Sequence, residues 1–157
     1  MVTTNEWKLP WDAGCRCGQI RMRVTATPLL ASACHCTGCQ RMSASAFSLT
    51  LTIPKNGFKV VSGEPVQGGL QKDVPHFHCP HCKSWVFTRP GDEYPFVNLR
   101  ATMLDDPRWF QPYIETWTDE KLRWANTGAA RSYRTQPNFD EYESLIGEYQ
   151  SKGARPS

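Results

Sequence analysis

No stretch of this chain approaches the roughly 18 to 20 consecutive apolar residues that a membrane-spanning helix requires. Its opening, MVTTNEWKLPW, has neither a basic start nor an apolar run, which speaks against a secretion signal. Basic residues do not cluster either. The 18 Lys and Arg are scattered among 15 Asp and Glu, and a net charge of +3 offers no electrostatic footprint for nucleic acid. Internal repeats, low-complexity blocks and linkers are also missing. These absences point to one cytoplasmic domain over residues 1–150 with no membrane or nucleic-acid partner, followed by a flexible tail, SKGARPS, at 151–157.

Long helical patterns are scarce too, and what replaces them is short alternation. In QIRMRVT, Ile20, Met22 and Val24 share one face and Gln19, Arg21 and Arg23 the other. In FSLTLTI, Phe47, Leu49, Leu51 and Ile53 lie opposite Ser48, Thr50 and Thr52, and Pro54 closes the run. FKVV (58–61), WVFT (85–88), FVNLR (96–100) and YIETW (113–117) are further strands, with SGEP and RPGDEYP as turns. Asp106-Pro107 predicts one short helical turn over DPRWF. The one clear helix is C-terminal: Asn138 as cap, Glu141 three residues on, and an apolar stripe of Phe139, Tyr142, Leu145, Ile146 and Tyr149. The fold is therefore mainly β, packed antiparallel sheets with short helical turns and one C-terminal helix.

Against this plain background the seven cysteines stand out. They fall into Cys15 and Cys17; Cys34, Cys36 and Cys39; Cys79 and Cys82. An odd count in a cytoplasmic chain argues for metal or catalysis rather than disulfides. A structural zinc takes four ligands in a closed tetrahedron, whereas a catalytic zinc takes three and keeps a corner open. Cys15, Cys17, Cys79 and Cys82 would then form a structural zinc site, and Cys34, Cys36 and Cys39 an open catalytic one, giving two zinc ions per chain. The alternative is a zinc ribbon of Cys36, Cys39, Cys79 and Cys82, which strands Cys15, Cys17 and Cys34. A histidine could also fill the vacancy. His35, however, points away from its flanking cysteines in an extended segment, and His76, His78 and His81 crowd the later pair.

Zinc with three thiolates carries a net charge of −1, which makes it a poor generator of hydroxide and a good partner for an incoming thiol. A fourth thiolate brings the charge to −2, so donors and cations nearby gain value. Arg41, Ser43 and Ser45 follow the three cysteines and are the candidates to offset charge and relay a proton. Trp7, Trp11, Trp85, Trp109, Trp117 and Trp124 are read first as packing, with Phe47 and Trp85 worth watching because each follows a cysteine group.

The stretches GCRCGQIR (14–21), CHCTGCQRMSASAF (34–47), HCPHCKS (78–84) and LDDP (104–107) resemble, in order and spacing, the glutathione-dependent formaldehyde-activating enzyme (GFA) family, also named for centromere protein V. The resemblance runs from about residue 11 to 125. It implies a zinc-bound β fold like that of a Rab GTPase exchange chaperone, with structural zinc on Cys15, Cys17, Cys79 and Cys82 and catalytic zinc on Cys34, Cys36 and Cys39. It implies carbon–sulfur lyase chemistry on glutathione and formaldehyde, or on their adduct. There are three departures from the family pattern: Lys83 and Ala44 stand where glycine is usual, and the pair Thr102-Met103 replaces glycine-threonine before LDDP. The first is a local strain; the other two alter the walls of the pocket and so bear on the substrate. Two other functions are to be weighed: a zinc-stapled protein-binding module without catalysis, and a zinc carrier or sensor.

Overall fold

The alternation at residues 19–25 becomes a strand over Arg21–Val24 whose Met22 and Val24 are buried, as is Ile20 just before it, with Arg21 and Arg23 half-exposed on the opposite face. In this computed structural model, which describes residues 6–70 and 73–157, the same logic builds most of the molecule. The first five residues of the opening stretch read above lie outside the described part. In chain order the strands are β1 (Trp11–Gly14), β2 (Arg21–Val24), β3 (Leu30–Cys34), β4 (Ser48–Pro54), β5 (Phe58–Ser62), β6 (Val66–Gly68), β7 (His76–His78), β8 (Trp85–Thr88), β9 (Phe96–Arg100), β10 (Ile114–Thr116) and β11 (Arg131–Ser132). Helix α1 (Thr37–Ser43) lies between β3 and β4, and α2 (Tyr142–Lys152) follows β11.

Two sheets result. The smaller has the order β1-β2-β5, and the larger β11-β10-β3-β4-β9-β8-β7-β6. Pairing is antiparallel except where β10 runs parallel to β3 and to β11. The core lies between the sheets, where Met22, Val24 and Phe58 of the small sheet join Leu51, Ile53, Val97, Leu99 and Phe87 of the large one. Phe58 and Phe87 meet edge to face at 5.0 Å.

The opposite face of the large sheet is less ordinary. Ser48 and Thr50, which alternation assigns to solvent, are buried, as are Thr88 and Arg100. Cys34 pairs with Ser48, and Thr50 pairs with both Ser32 and Arg100. Directly opposed residues point to the same side of a sheet. Cys34, Ser48, Thr50 and Arg100 therefore share one face.

Two sequence expectations are corrected. Residues 106–110 make a hydrogen-bonded turn, Phe110 N–H to Pro107 carbonyl at 2.9 Å, rather than a helix. The capping box of Asn138 and Glu141 forms, but Phe139 is 93% exposed, and the stripe that packs is Leu145 and Tyr149 with Tyr142 and Ile146 at its margin. Helix α2 runs to Lys152, two residues into the stretch read as a tail. Gly153 is buried against the Tyr149 ring, and the Arg155 guanidinium lies 4.6 Å over Trp7. Trp7, Trp11 and Trp109 form one aromatic cluster with Tyr149.

Candidate metal centre

Two tight turns bring four sulfurs together. The β1–β2 turn carries Cys15 and Cys17, and the β7–β8 turn carries Cys79 and Cys82. Each turn closes on itself by matching backbone bonds: Gly18 N–H to Cys15 carbonyl at 3.1 Å, and Lys83 N–H to Cys79 carbonyl at 3.0 Å. Gly18 and Lys83 both sit in the left-handed region, at φ +82° and +64°. Arg16 N–H reaches the Ser84 hydroxyl at 3.3 Å and so stitches one turn to the other. Ile20 N–H donates to the Cys15 sulfur, and the Ser84 hydroxyl 3.2 Å from Cys82 holds that thiol down at about 5. The four sulfurs lie within 4.8 Å of one another, a closed set of soft donors that fits a tetrahedral metal ion.

The second group is built differently. Cys34 ends β3, and the chain then turns so that Cys36 caps α1, its sulfur accepting from the Cys39 N–H at 3.3 Å. A sulfur thus occupies the place that Ser or Asp usually takes. Gln40 pins the helix from below, donating to the carbonyls of His35 at 2.7 Å and Glu120 at 3.0 Å. Between the cysteines His35 points away from them, is fully buried, and donates through Nε2 to Glu115 at 2.8 Å. Ser132 and Thr127 donate to the same carboxylate, at 2.7 and 2.8 Å. Burial alone would raise the Glu115 pKa, but these bonds outweigh it and hold the group at about 2.

Cys34, Cys36 and Cys39 also lie within 4.8 Å of one another, with three donors and no fourth among the described residues. Within this group the Cys34 thiol is the one held down. The neighbouring Cys39 thiol does most to bring it to about 5, against the opposing effect of burial, and the nearby Thr116 hydroxyl acts in the same direction. Cys39 is pushed up by its Cys34 neighbour and by burial. The sequence division into four and three is the one the structure brings together, and the ribbon of Cys36, Cys39, Cys79 and Cys82 is not. No histidine joins either group among the described residues.

Known proteins now bear on this geometry. Residues 10–120 match the family described as glutathione-dependent formaldehyde-activating enzyme, over more than half of the chain. The chain belongs to this family. A Penicillium rubens protein provisionally named a glutathione-dependent formaldehyde-activating enzyme is 26% identical over 105 residues, which is 62% of this chain and 55% of that protein. The chain therefore spans about half the length of that relative. A crystal structure of a Rhodobacter sphaeroides protein superposes with a TM-score of 0.51 at 19% identity, covering 62% of this chain and 92% of the other, and supports the fold alone.

Within this formaldehyde-activating family chain, the residues after Cys39 are dispersed. Arg41 and Ser45 are exposed, and among the described residues neither is hydrogen-bonded to the three sulfurs. The Ser43 hydroxyl donates to the Cys39 carbonyl at 2.7 Å and so is spent on the backbone. Ala44 ends α1 in the left-handed region at φ +49°. What sequence reasoning missed lies on the sheet. The Ser48 hydroxyl is buried beside Cys39 without meeting it at full hydrogen-bond geometry, and Arg100 is buried on the same sheet face with its Nε–H unpartnered. The only sequence signal for Arg100 was a basic residue closing an apolar strand.

Proposed function

We propose that this chain is a zinc enzyme of the carbon–sulfur lyase class, acting on adducts of a small thiol with an aldehyde, of which the glutathione–formaldehyde adduct is the type. The observation that carries this reading is the unequal pair of cysteine groups: four sulfurs that close on themselves, and three that leave a donor position unfilled. Zinc bound by Cys34, Cys36 and Cys39 would act as Lewis acid toward a substrate sulfur and favour its thiolate form. The protein's own part is to hold the reactants in place, because proximity supplies much of the rate in such additions. Gln40 and the Cys36 cap hold α1 rigid, and the buried His35–Glu115 pair fixes the turn between the first two ligands. Ser43 locks the last turn of α1, while Arg41 and Ser45, at its exposed end, meet the outer part of a glutathione-sized ligand and the water that exchanges protons there. A substrate that must reach these sulfurs from water fits a cytoplasmic enzyme.

The family match and the provisional name of the Penicillium rubens relative support the choice of glutathione and formaldehyde. Purified protein should carry two zinc ions per chain and accelerate the exchange of formaldehyde with glutathione followed by NMR. Cys36→Ser should lose one zinc and at least about a hundredfold of that rate while keeping its circular dichroism. A wild-type rate no faster than buffer would remove this substrate. Unfolding of Cys36→Ser would instead favour the binding-module reading.

A further inference from the structure

Arg100 is 7% exposed, and its guanidinium has almost nothing to hold. The Nε–H is buried without a hydrogen-bond partner, and Nη2 has only a 3.4 Å contact with the Asn98 carbonyl. No Asp or Glu lies within ion-pair distance of it among the described residues, although ten other such pairs are present. An arginine keeps its proton, so this is a buried cation in need of an anion, and a protein tolerates that only where one is supplied.

The fold says where the anion comes from. Arg100 opposes Thr50 on β4, and two residues along that strand Ser48 opposes Cys34 on β3. The guanidinium thus shares a sheet face with the open group. Its plane is held: Cζ lies 4.1 Å over the Trp85 ring. Trp85 in turn donates to Thr88 at 3.2 Å, and His76 is bonded to the same hydroxyl at 2.8 Å and meets Trp85 edge-on. Such a wall has no evident purpose in a bare strand, and it explains why this face is buried.

Taking the proposed function as its premise, we infer that Arg100 is the positioning residue for an anionic sulfur ligand at the free corner of the Cys34–Cys36–Cys39 group, offsetting the charge that this ligand adds. The role that sequence order pointed to in Arg41 belongs to a residue 59 positions further on (100−41 = 59). A fully enclosed cation acts far more strongly than an exposed one, because water does not screen it.

The test uses protein loaded with cobalt(II), whose visible spectrum reports a ligand entering the open site, with 2-mercaptoethanol, glutathione and the neutral ligand imidazole as probes. Arg100→Met should weaken both thiols at least about tenfold, with imidazole binding unchanged. Arg100→Lys, which keeps the charge but not the stacked plane, should retain thiol affinity within about threefold. Lys59→Met, which removes an exposed charge from the small sheet, should match wild type. If Arg100→Met does not fold, Arg100→Gln is read the same way. Equal thiol affinity in the neutral variants and wild type, with both metal ions still bound, overturns the inference while leaving the proposed function standing. Failure of wild type itself to bind any thiol overturns the proposed function, and the inference with it.

Discussion

At the scale of single residues, two positions show what this chain tolerates. Lys83 and Ala44 occupy left-handed backbone, at φ +64° and +49°, where an L side chain is strained by roughly 1–2 kcal/mol. Part of that is returned by the stiffer unfolded chain, and Lys83 regains a little through its ammonium bond to the Pro80 carbonyl at 2.7 Å. Lys83→Gly and Ala44→Gly should each stabilise the metal-loaded protein by about 0.5–1 kcal/mol in urea unfolding, and the double variant by the sum. The strain at Lys83 was legible through the family resemblance, which places glycine at that position. At Ala44 the resemblance pointed to the position but not the effect: the residue is exposed, and the departure is felt by the backbone. Arg100 was not legible. Its burial depends on Thr50 and Ser48, whose polar alternation reads as a wet face until β3, β9 and the cysteine group are assembled around it.

At the scale of elements, β10 shows how a short strand can matter beyond its length. It lies parallel between β3 and β11, and its Glu115 gathers the buried His35, the half-buried Thr127 and the exposed Ser132 into one hydrogen-bonded cluster. A carboxyl at about 2 in the fold and near 4.5 when unfolded binds fewer protons when native. Its contribution, about 3 kcal/mol, is complete above pH 4.5 and is lost as pH falls toward 2. Glu115→Gln should therefore be less stable than wild type at pH 7, and the gap should stay level down to about pH 5 and then shrink toward pH 3; a constant gap over the whole range would contradict the cluster. Acid loss of metal affects both proteins and cancels in the difference. Helix α1 escaped sequence reading for a related reason. Thr37–Ser43 has no buried residue, contains Gly38 and is capped by a cysteine, so neither a stripe nor an ordinary cap announces it. A strand with clean alternation, such as β2, needed no such context.

At the scale of the whole molecule, the closed cysteine group joins the β1–β2 turn of the small sheet to the β7–β8 turn of the large one, 62 residues apart in sequence (79−17 = 62). Zinc in such a site contributes folding free energy directly, of order 10 kcal/mol in small peptides. Cys79→Ser should thus lose one ion and also the cooperative thermal transition, in contrast to Cys36→Ser. Metal analysis beside a melting curve distinguishes the two. If Cys79→Ser melted like wild type, the sheets would be held together by their apolar contact alone.

That joint also sets a timetable. On the ribosome the chain completes its three-sulfur group once residue 39 has emerged, whereas the four-sulfur group must wait for residue 82. Metal supply during synthesis therefore bears first on the group meant to stay open, and the clasp between the halves can be fastened only afterwards. Were metal scarce, this order would leave nascent chains with their halves unlatched and open to proteases.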